Sequence, residues 1–513
     1  MPATELSGDA LRALIHQQIA LHSNGLVQFL APFDPVQATT AWHATCRAVD
    51  EFINVPMFGF ERPQETLAFG RLSLGNDFLA DPPKVLGQVV PLLNRKYDAA
   101  LAQRFAHTML QCAALGNAYR QSGMADLGYG IHLGTIGDVV TYLQSRRRLM
   151  VALLYTLPYA CKGTLQVAQL DTMNQFMPRM EHSGMALVSL YRQQLLADIV
   201  PDFRLRDDGT TAMGSHHFQP LESFFLEPER LSVQAMAEFR PSQLSPAQEE
   251  PLDPKKIFSA AELRNQIRLI ARAYTAFGLD ETRFSVLAKL IIAFSRHVQD
   301  DYFLTLPRSK FDAMVRAQTG CAVELLEADL INPAADFVTN TNSYAPFLAV
   351  GGNLVSNVNL LMRFLNAFKN FTLEARKRYQ VHSGFVFEDM VKRDLAELGF
   401  AVTDIKRINR KEFDVVAIRE RVIYNLQCKN SWVDLTQIEA NPKAYARYNR
   451  YLAGYYGRAL AKEIRREQML RDALGLSDIR HFVISRFPII TEDARIIAYK
   501  DLSRLKASSA SHS

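Results

Sequence analysis

The stretch GFVFEDMVKRDLAELGF at 384–400, followed after a short variable segment by EFDVVAIRERVIYNLQCKN at 412–430, decides how the rest of the chain is read. In the first block Phe387, Met390, Val391, Leu395 and Leu398 recur at three- and four-residue intervals, the spacing of an amphipathic helix. Gly399 stands where a helix-terminating glycine belongs. The second block alternates in polarity and is rich in Val and Ile, which predicts two strands at 413–418 and 422–429. Arg419-Glu420-Arg421 between them is short enough for a hairpin connection, although it lacks an Asn-Gly type signal.

Four polar side chains occupy this otherwise apolar frame: Glu388 on the helix, Asp414 opening the first strand, and Gln427 and Lys429 ending the second. Residues two apart on a strand share a face, so Gln427 and Lys429 point the same way, and Asp414 on the neighbouring strand can join them. Carboxylates and an amide oxygen around a lysine suit a hard divalent ion, which prefers oxygen ligands and keeps several waters. Such an ion lowers the pKa of a bound water and offsets charge on a phosphate under attack. Cys428 points to the opposite face and is expected in the core. The competing reading of Asp414 and Lys429 is a structural ion pair. Glu412 is an alternative or additional ligand, and Glu439 a remoter one.

The helix carrying GFVFE, the strand beginning Asp414-Val-Val and the strand ending Gln427-Cys-Lys429 together resemble the PD-(D/E)XK nuclease superfamily, most closely its Mrr-type restriction endonucleases. The resemblance covers about 379–505 and nothing upstream. It implies a restriction-endonuclease-like α/β domain with a central mixed sheet flanked by helices, and Mg²⁺- or Mn²⁺-dependent cleavage of DNA. By the same resemblance Asp414 is the main metal ligand, Gln427 and Glu388 are further ligands, and Lys429 is the catalytic lysine. Gln at the usual acidic position removes one negative charge from the site. A role in restriction or in defence against foreign DNA is what the resemblance suggests for the pathway.

Charge is distributed to match. The chain of 513 residues carries +5 overall, but residues 371–513 hold 26 Lys+Arg against 18 Asp+Glu, leaving 32 against 35 for the remainder. The basic part is the one with the nuclease-like site, as a binder of phosphate backbones requires. Five scattered cysteines without a CxxC pair speak against a disulfide framework or zinc ribbon and for a reducing cytosol. No basic segment followed by an apolar one opens the sequence, so no signal peptide is read there. The most apolar run, 149–161, is too short to span a bilayer and contains Pro158; it reads as a buried helix, and no membrane association is expected.

Residues 1–240 read as a mainly helical domain, with helices near 6–22, 39–52, 91–120, 141–160, 164–177 and 183–199. Arg146-Arg147-Arg148 reads as a helix-end charge cluster or, less simply, a phosphate contact. Gly128-Tyr129-Gly130 lacks a nucleotide-binding spacing, and His216-His217 has no matching ligand nearby. Four prolines at 241–256 mark a linker. A second helical region, 257–370, contains helices at 260–277, 282–299, 309–319 and 322–330, and one long helix at 353–380 leads into the nuclease-like segment 371–506. Asn441-Pro442 opens a helix reaching 474, rich in Tyr and in Arg447, Arg450 and Arg458. These arginines, with Lys377 and Arg378, are the candidate DNA contacts; the tyrosines either stack on bases or pack on the sheet. Residues 507–513 are a polar tail. The helical part is the expected surface for a homo-oligomer or a partner protein. Two functions stand: a metal-dependent DNA endonuclease, or a nucleic-acid-binding module of the same fold that no longer cleaves.

Overall fold

The computed structural model describes residues 5–58, 62–126, 131–200, 203–206, 249–320, 323–333, 336–431, 433 and 441–507. Gly128 to Gly130, His216-His217, Pro241, Pro246 and Glu439 lie outside the described residues, as does the polar tail except Ala507, which closes the helix Arg504–Ala507.

The first 200 residues are helical, as their spacing requires. Helices α1 (Gly8–Leu30) and α2 (Pro35–Phe58) surround α3 (Ile136–Ala160), whose start is capped by the Thr135 hydroxyl accepting from the Asp138 N–H at 3.1 Å. The apolar run forms the last turns of α3, with Leu153, Leu154, Tyr155 and Leu157 buried. The Trp42 indole donates to the Met150 carbonyl at 2.9 Å and fixes α2 against it. A further helix, α4 (Met185–Ile199), packs along α1. Arg146-Arg147-Arg148 is not a helix-end cluster. It lies mid-helix, and all three guanidiniums are engaged within the protein: Arg146 with Glu181, Arg147 with Asp50 at 2.8 Å, and Arg148 with the Thr341 carbonyl at 2.8 Å. Their task is to tie α3 to its neighbours.

The middle of the chain departs from the helical expectation. Residues 353–380 do not form one helix: β1 (Phe303–Pro307), β2 (Leu348–Val350) and β3 (Asn353–Asn357) make an antiparallel sheet in the order β1-β3-β2. Gly351 and Gly352, with φ of +56° and +77°, make the two-residue turn that ordinary side chains resist. Helix α5 (Val358–Glu374) starts only after this strand, with the Asn357 side chain accepting from the Leu360 N–H at 2.9 Å. It stops at Ala375-Arg376, and a separate helix, α6 (Lys377–Glu397), follows.

Helix α6 joins two cores. Tyr379 near its start packs with Tyr274 and Phe277 of the helical body, and Phe387, Val391 and Leu395 further on pack against the C-terminal sheet. Its end is a Schellman turn. Gly399 has φ +86° and donates to the Ala396 carbonyl, and the Phe400 N–H donates to that of Leu395, both at 3.0 Å. The sheet comprises β4 (Ala401–Val402), β5 (Val415–Arg419), β6 (Val422–Lys429), β7 (Asp478–Ser485) and β8 (Ile496–Ala498) in the order β8-β7-β6-β5-β4. It is mixed: β5 runs antiparallel to β6 and β4, while β7 and β8 run parallel to β6. The β5–β6 hairpin turns on Glu420 and Arg421, both at positive φ, so the geometry is that of an Asn-Gly hairpin without its preferred residues.

Alternation along β6 sorts its side chains between two layers. Tyr424 and Leu426 face α6 together with Phe482 and Ile484 of β7. The other face is covered by α7 (Pro442–Ile464), which buries Tyr445, Leu452, Tyr456 and Leu460 against Val483. The Asn441 side chain caps α7 by accepting from the Ala444 N–H at 3.1 Å, and Pro442 occupies the first turn. The helix ends at Ile464, and Glu467–Leu474 is a second piece, so the single helix to 474 is interrupted at Arg465-Arg466. Leu11 and Ile15 of α1 with Leu195 and Leu196 of α4 share the α7 core, joining the helical body to the sheet. Each such buried side chain contributes about 1.5–3 kcal/mol. No described helix is long and apolar enough to cross a membrane.

Candidate active site

The polar end of β6 is built by register. Val415 pairs with Leu426, so one step further Asp414 stands opposite Gln427. The Gln427 amide nitrogen donates to Asp414 Oδ2, and the Cys428 N–H donates to the same oxygen at 2.8 Å. Lys429 follows two residues on, on the Gln427 face, and its Nζ lies 5.8 Å from the centroid of the Tyr455 ring on α7. Asp414 and Lys429 are not a contact ion pair: among the described residues no lysine or arginine nitrogen comes within 4.0 Å of the Asp414 carboxylate. Lys429 acts on Asp414 through its field.

Glu388 comes from the opposite layer. On α6 it follows Phe387, which packs under the sheet, whereas Phe385 is 61% exposed and gives no cover. Burial lifts the Glu388 carboxyl to about 7, and the charge of Asp414 adds to the shift. Burial also raises Asp414, opposed by the Lys429 ammonium and the Cys428 N–H. Cys428 lies on the α6 side with the core, as alternation requires, and burial and Asp414 push its thiol upward.

Other candidates separate from this group. Glu412 is exposed in a small hairpin, Arg407–Ile408 with Lys411–Glu412, and is ion-paired to Arg407; it reaches the site only as a distant negative charge. Arg447, Arg450 and Arg458 are exposed on α7, and Lys377 and Arg378 on the first turn of α6. These two helices border an open cleft of about 700 Å³ lined by Lys429, Gln380, Tyr448 and Tyr455 among others.

Sequence reasoning missed the groups that hold the site. Asn430 Nδ2 donates to the buried Ser383 hydroxyl at 2.7 Å, and Arg486 Nη1 donates to Asn430 Oδ1 at 2.9 Å, fastening the end of β6 to α6 and to the chain after β7. Glu463 is buried on α7, accepts from Asn425 Nδ2 at 3.1 Å, and adds to the negative potential at Asp414. Its signal is positional. Tyr456, Leu460 and Glu463 lie on one helical stripe, the last in a place an apolar residue would normally take.

The Asp414 carboxylate and the Gln427 amide, beside one ammonium on the same face, are the oxygen donors a hard divalent cation that retains waters would take, and Glu388 is linked to them through its charge. The Glu388 carboxyl is raised first by burial and then by the charge of Asp414, with the Lys392 ammonium acting against the shift. The described residues contain no group of three His, Cys, Asp or Glu side chains placed to hold a metal, so Gln427 and water would complete any such shell. Comparison with known protein families, with curated proteins and with solved structures gives no match.

Proposed function

We propose that the C-terminal part is a restriction-endonuclease-like domain that hydrolyses phosphodiester bonds in DNA with a divalent metal, Mg²⁺ or Mn²⁺. The observation that carries this reading is the pairing at the end of the central strand: Asp414 in direct contact with Gln427 and Lys429 next on the same face, with Glu388 on the opposite layer coupled to Asp414 by charge, its carboxyl lifted to about 7. Helices on both faces of a five-stranded mixed sheet give that grouping the setting the resemblance implies.

Asp414, Gln427 and Glu388 would hold the ion, which when bound supplies a water of lowered pKa and positive charge for the phosphate. The chain's own groups do the rest. Asp414 is oriented by the Cys428 N–H, so its second oxygen points consistently. Lys429 projects toward the cleft, where its ammonium can hold the attacking water or a phosphate oxygen. Glu388 sheds its proton near neutrality and becomes a ligand or a base. Arg447, Arg450, Arg458, Lys377 and Arg378, exposed on the two helices that border the cleft, would supply positive charge for the phosphate backbone.

A second reading has one observation in its favour. Asp414 Oδ2 already accepts two hydrogen bonds, and Gln427 offers it a donor where the wider superfamily places an acid. A site tied up in this way could keep the fold as a binding module without cleavage.

Incubation with supercoiled plasmid separates them. The nuclease reading predicts nicking or linearisation with Mg²⁺ or Mn²⁺, none with EDTA, and none by Asp414→Ala or Lys429→Ala, while both variants still bind DNA with a steep salt dependence. No cleavage by wild type with any divalent ion, or cleavage persisting in both variants, overturns it.

A further inference from the structure

Helix α7 carries tyrosines on two faces, and only one face is needed for the core. Tyr445 and Tyr456 are 3% and 0% exposed and pack beneath the sheet. Tyr448, Tyr451 and Tyr455 are 40%, 61% and 40% exposed and follow one another at three- and four-residue spacing along a single stripe. Their rings are nearly parallel: Tyr448 and Tyr451 have centroids 6.2 Å apart at 19°, and Tyr451 and Tyr455 have centroids 6.4 Å apart at 3°. Near-parallel rings at these centroid distances are in the offset-stacked range, so the stripe is held as a set. Here the three rings form a row along one exposed stripe of the helix.

The row has a direction. Its last member, Tyr455, lies 5.8 Å from Lys429 Nζ, and Tyr448, Tyr455 and Lys429 line the same cleft of about 700 Å³. Exposed Arg447, Arg450 and Arg458 project from the same helix, supplying the charge that a phosphate backbone beside stacked bases requires.

We infer that the Tyr448–Tyr451–Tyr455 row is a stacking platform for unpaired bases, and that the strand delivered to Lys429 is single-stranded or locally opened DNA rather than intact duplex. Bases in a duplex are paired and already stacked on each other, so they offer no faces to a row of rings; an unpaired strand does. This rests on the nuclease reading for its outcome at Lys429, but the platform itself is a binding surface that needs no metal.

The test is binding by the full chain in EDTA, where cleavage is suppressed. Fluorescence anisotropy would compare a labelled 15-nucleotide oligo-dT, a duplex of the same length and an abasic strand of the same length. The expected result is at least tenfold tighter binding of oligo-dT than of either of the others. Tyr451→Ala should lose most of that advantage, Tyr451→Phe should keep it, and duplex binding should be unchanged in both. Tyr451 is the most exposed of the three, so its truncation leaves the fold intact, and tyrosine quenching by oligo-dT gives a second readout in wild type. Equal or tighter binding of duplex, an abasic strand bound as well as oligo-dT, or no effect of Tyr451→Ala overturns the inference. A change of oligomeric mass in Tyr451→Ala without any change in nucleic-acid affinity would assign the row to a protein contact and overturn it as well. The platform can hold while plasmid cleavage fails, in which case the nuclease reading falls alone.

Discussion

The chain buries carboxylates in two opposite ways. In the helical body Glu181, fully buried, is clamped by Arg146 through Nε at 2.8 Å and Nη2 at 2.5 Å, and Tyr142 donates to it at 3.1 Å. Glu51 is held likewise by Arg104 at 2.7 and 2.8 Å and by Arg47 at 3.0 Å. At the end of β6, Asp414 and Glu388 are half-buried with no arginine or lysine nitrogen within 4.0 Å among the described residues, and the Glu388 carboxyl rises to about 7. The same sequence that supplies a fork of guanidinium donors to Glu181 leaves Asp414 to an amide, a backbone N–H and the distant Lys429 ammonium, and Glu388 to the field of Lys392. Glu181 and Glu51 are neutralised by guanidinium contacts; Asp414 and Glu388 have no such contact among the described residues.

The comparison breaks most visibly under substitution. On the site side, Asp414→Ala and Lys429→Ala should each lower plasmid cleavage by on the order of 10³-fold or more while far-UV circular dichroism and melting temperature stay near wild type. On the structural side, Arg146→Ala strands a buried carboxylate and should destabilise the protein by about 3–5 kcal/mol, read as a drop in melting temperature. A large stability loss in Asp414→Ala, or a negligible one in Arg146→Ala, would erase the distinction.

A subtler effect concerns protons. The folded-state Glu388 carboxyl, at about 7, lies above its ordinary value of about 4.3, so the fold favours its neutral form. Its contribution to stability is present below the ordinary value and is lost as pH rises through 7. In the metal-free protein, melting temperature should therefore fall between pH 5 and pH 8 by more in wild type than in Glu388→Gln, by a margin of a degree or two because the group is only half-buried. Equal slopes would show that the carboxyl is balanced after all. The smallest expected effect is that of Gln427→Glu. It adds an acid opposite Asp414, so it should lower metal-free stability slightly and raise affinity for Mn²⁺ severalfold, measured by calorimetry.

Much of the fold was legible in residues 384–430, because there the local signals agree. Helical spacing, Gly399 and two apolar strands all survive in α6, its Schellman end and the β5–β6 pair. Register made Asp414 and Gln427 neighbours, and alternation placed Cys428 behind them. What could not be read is what depends on distant partners. The arginine triplet of α3 reads as a helix-end charge cluster because Glu181, Asp50 and Thr341 are remote in sequence. β3 reads as helix in the sequence because its five residues abut a genuine amphipathic helix, and the Gly351-Gly352 pair is the local sign of the turn that precedes it. For the tyrosines of α7 the packing reading holds for Tyr445 and Tyr456, while Tyr448, Tyr451 and Tyr455 remain exposed. Periodicity shows a stripe but not which stripe the sheet will cover.

The most direct measurement is a titration of Mn²⁺ into metal-free protein by calorimetry in buffers of different ionisation heat. The account predicts one ion per chain, bound with release of close to one proton at pH 6, where Glu388 is still protonated, and of little at pH 8.5. It also predicts that Asp414→Ala abolishes the binding. No saturable binding by wild type, or unchanged binding in Asp414→Ala, would contradict the proposal that Asp414 and its neighbours hold a metal.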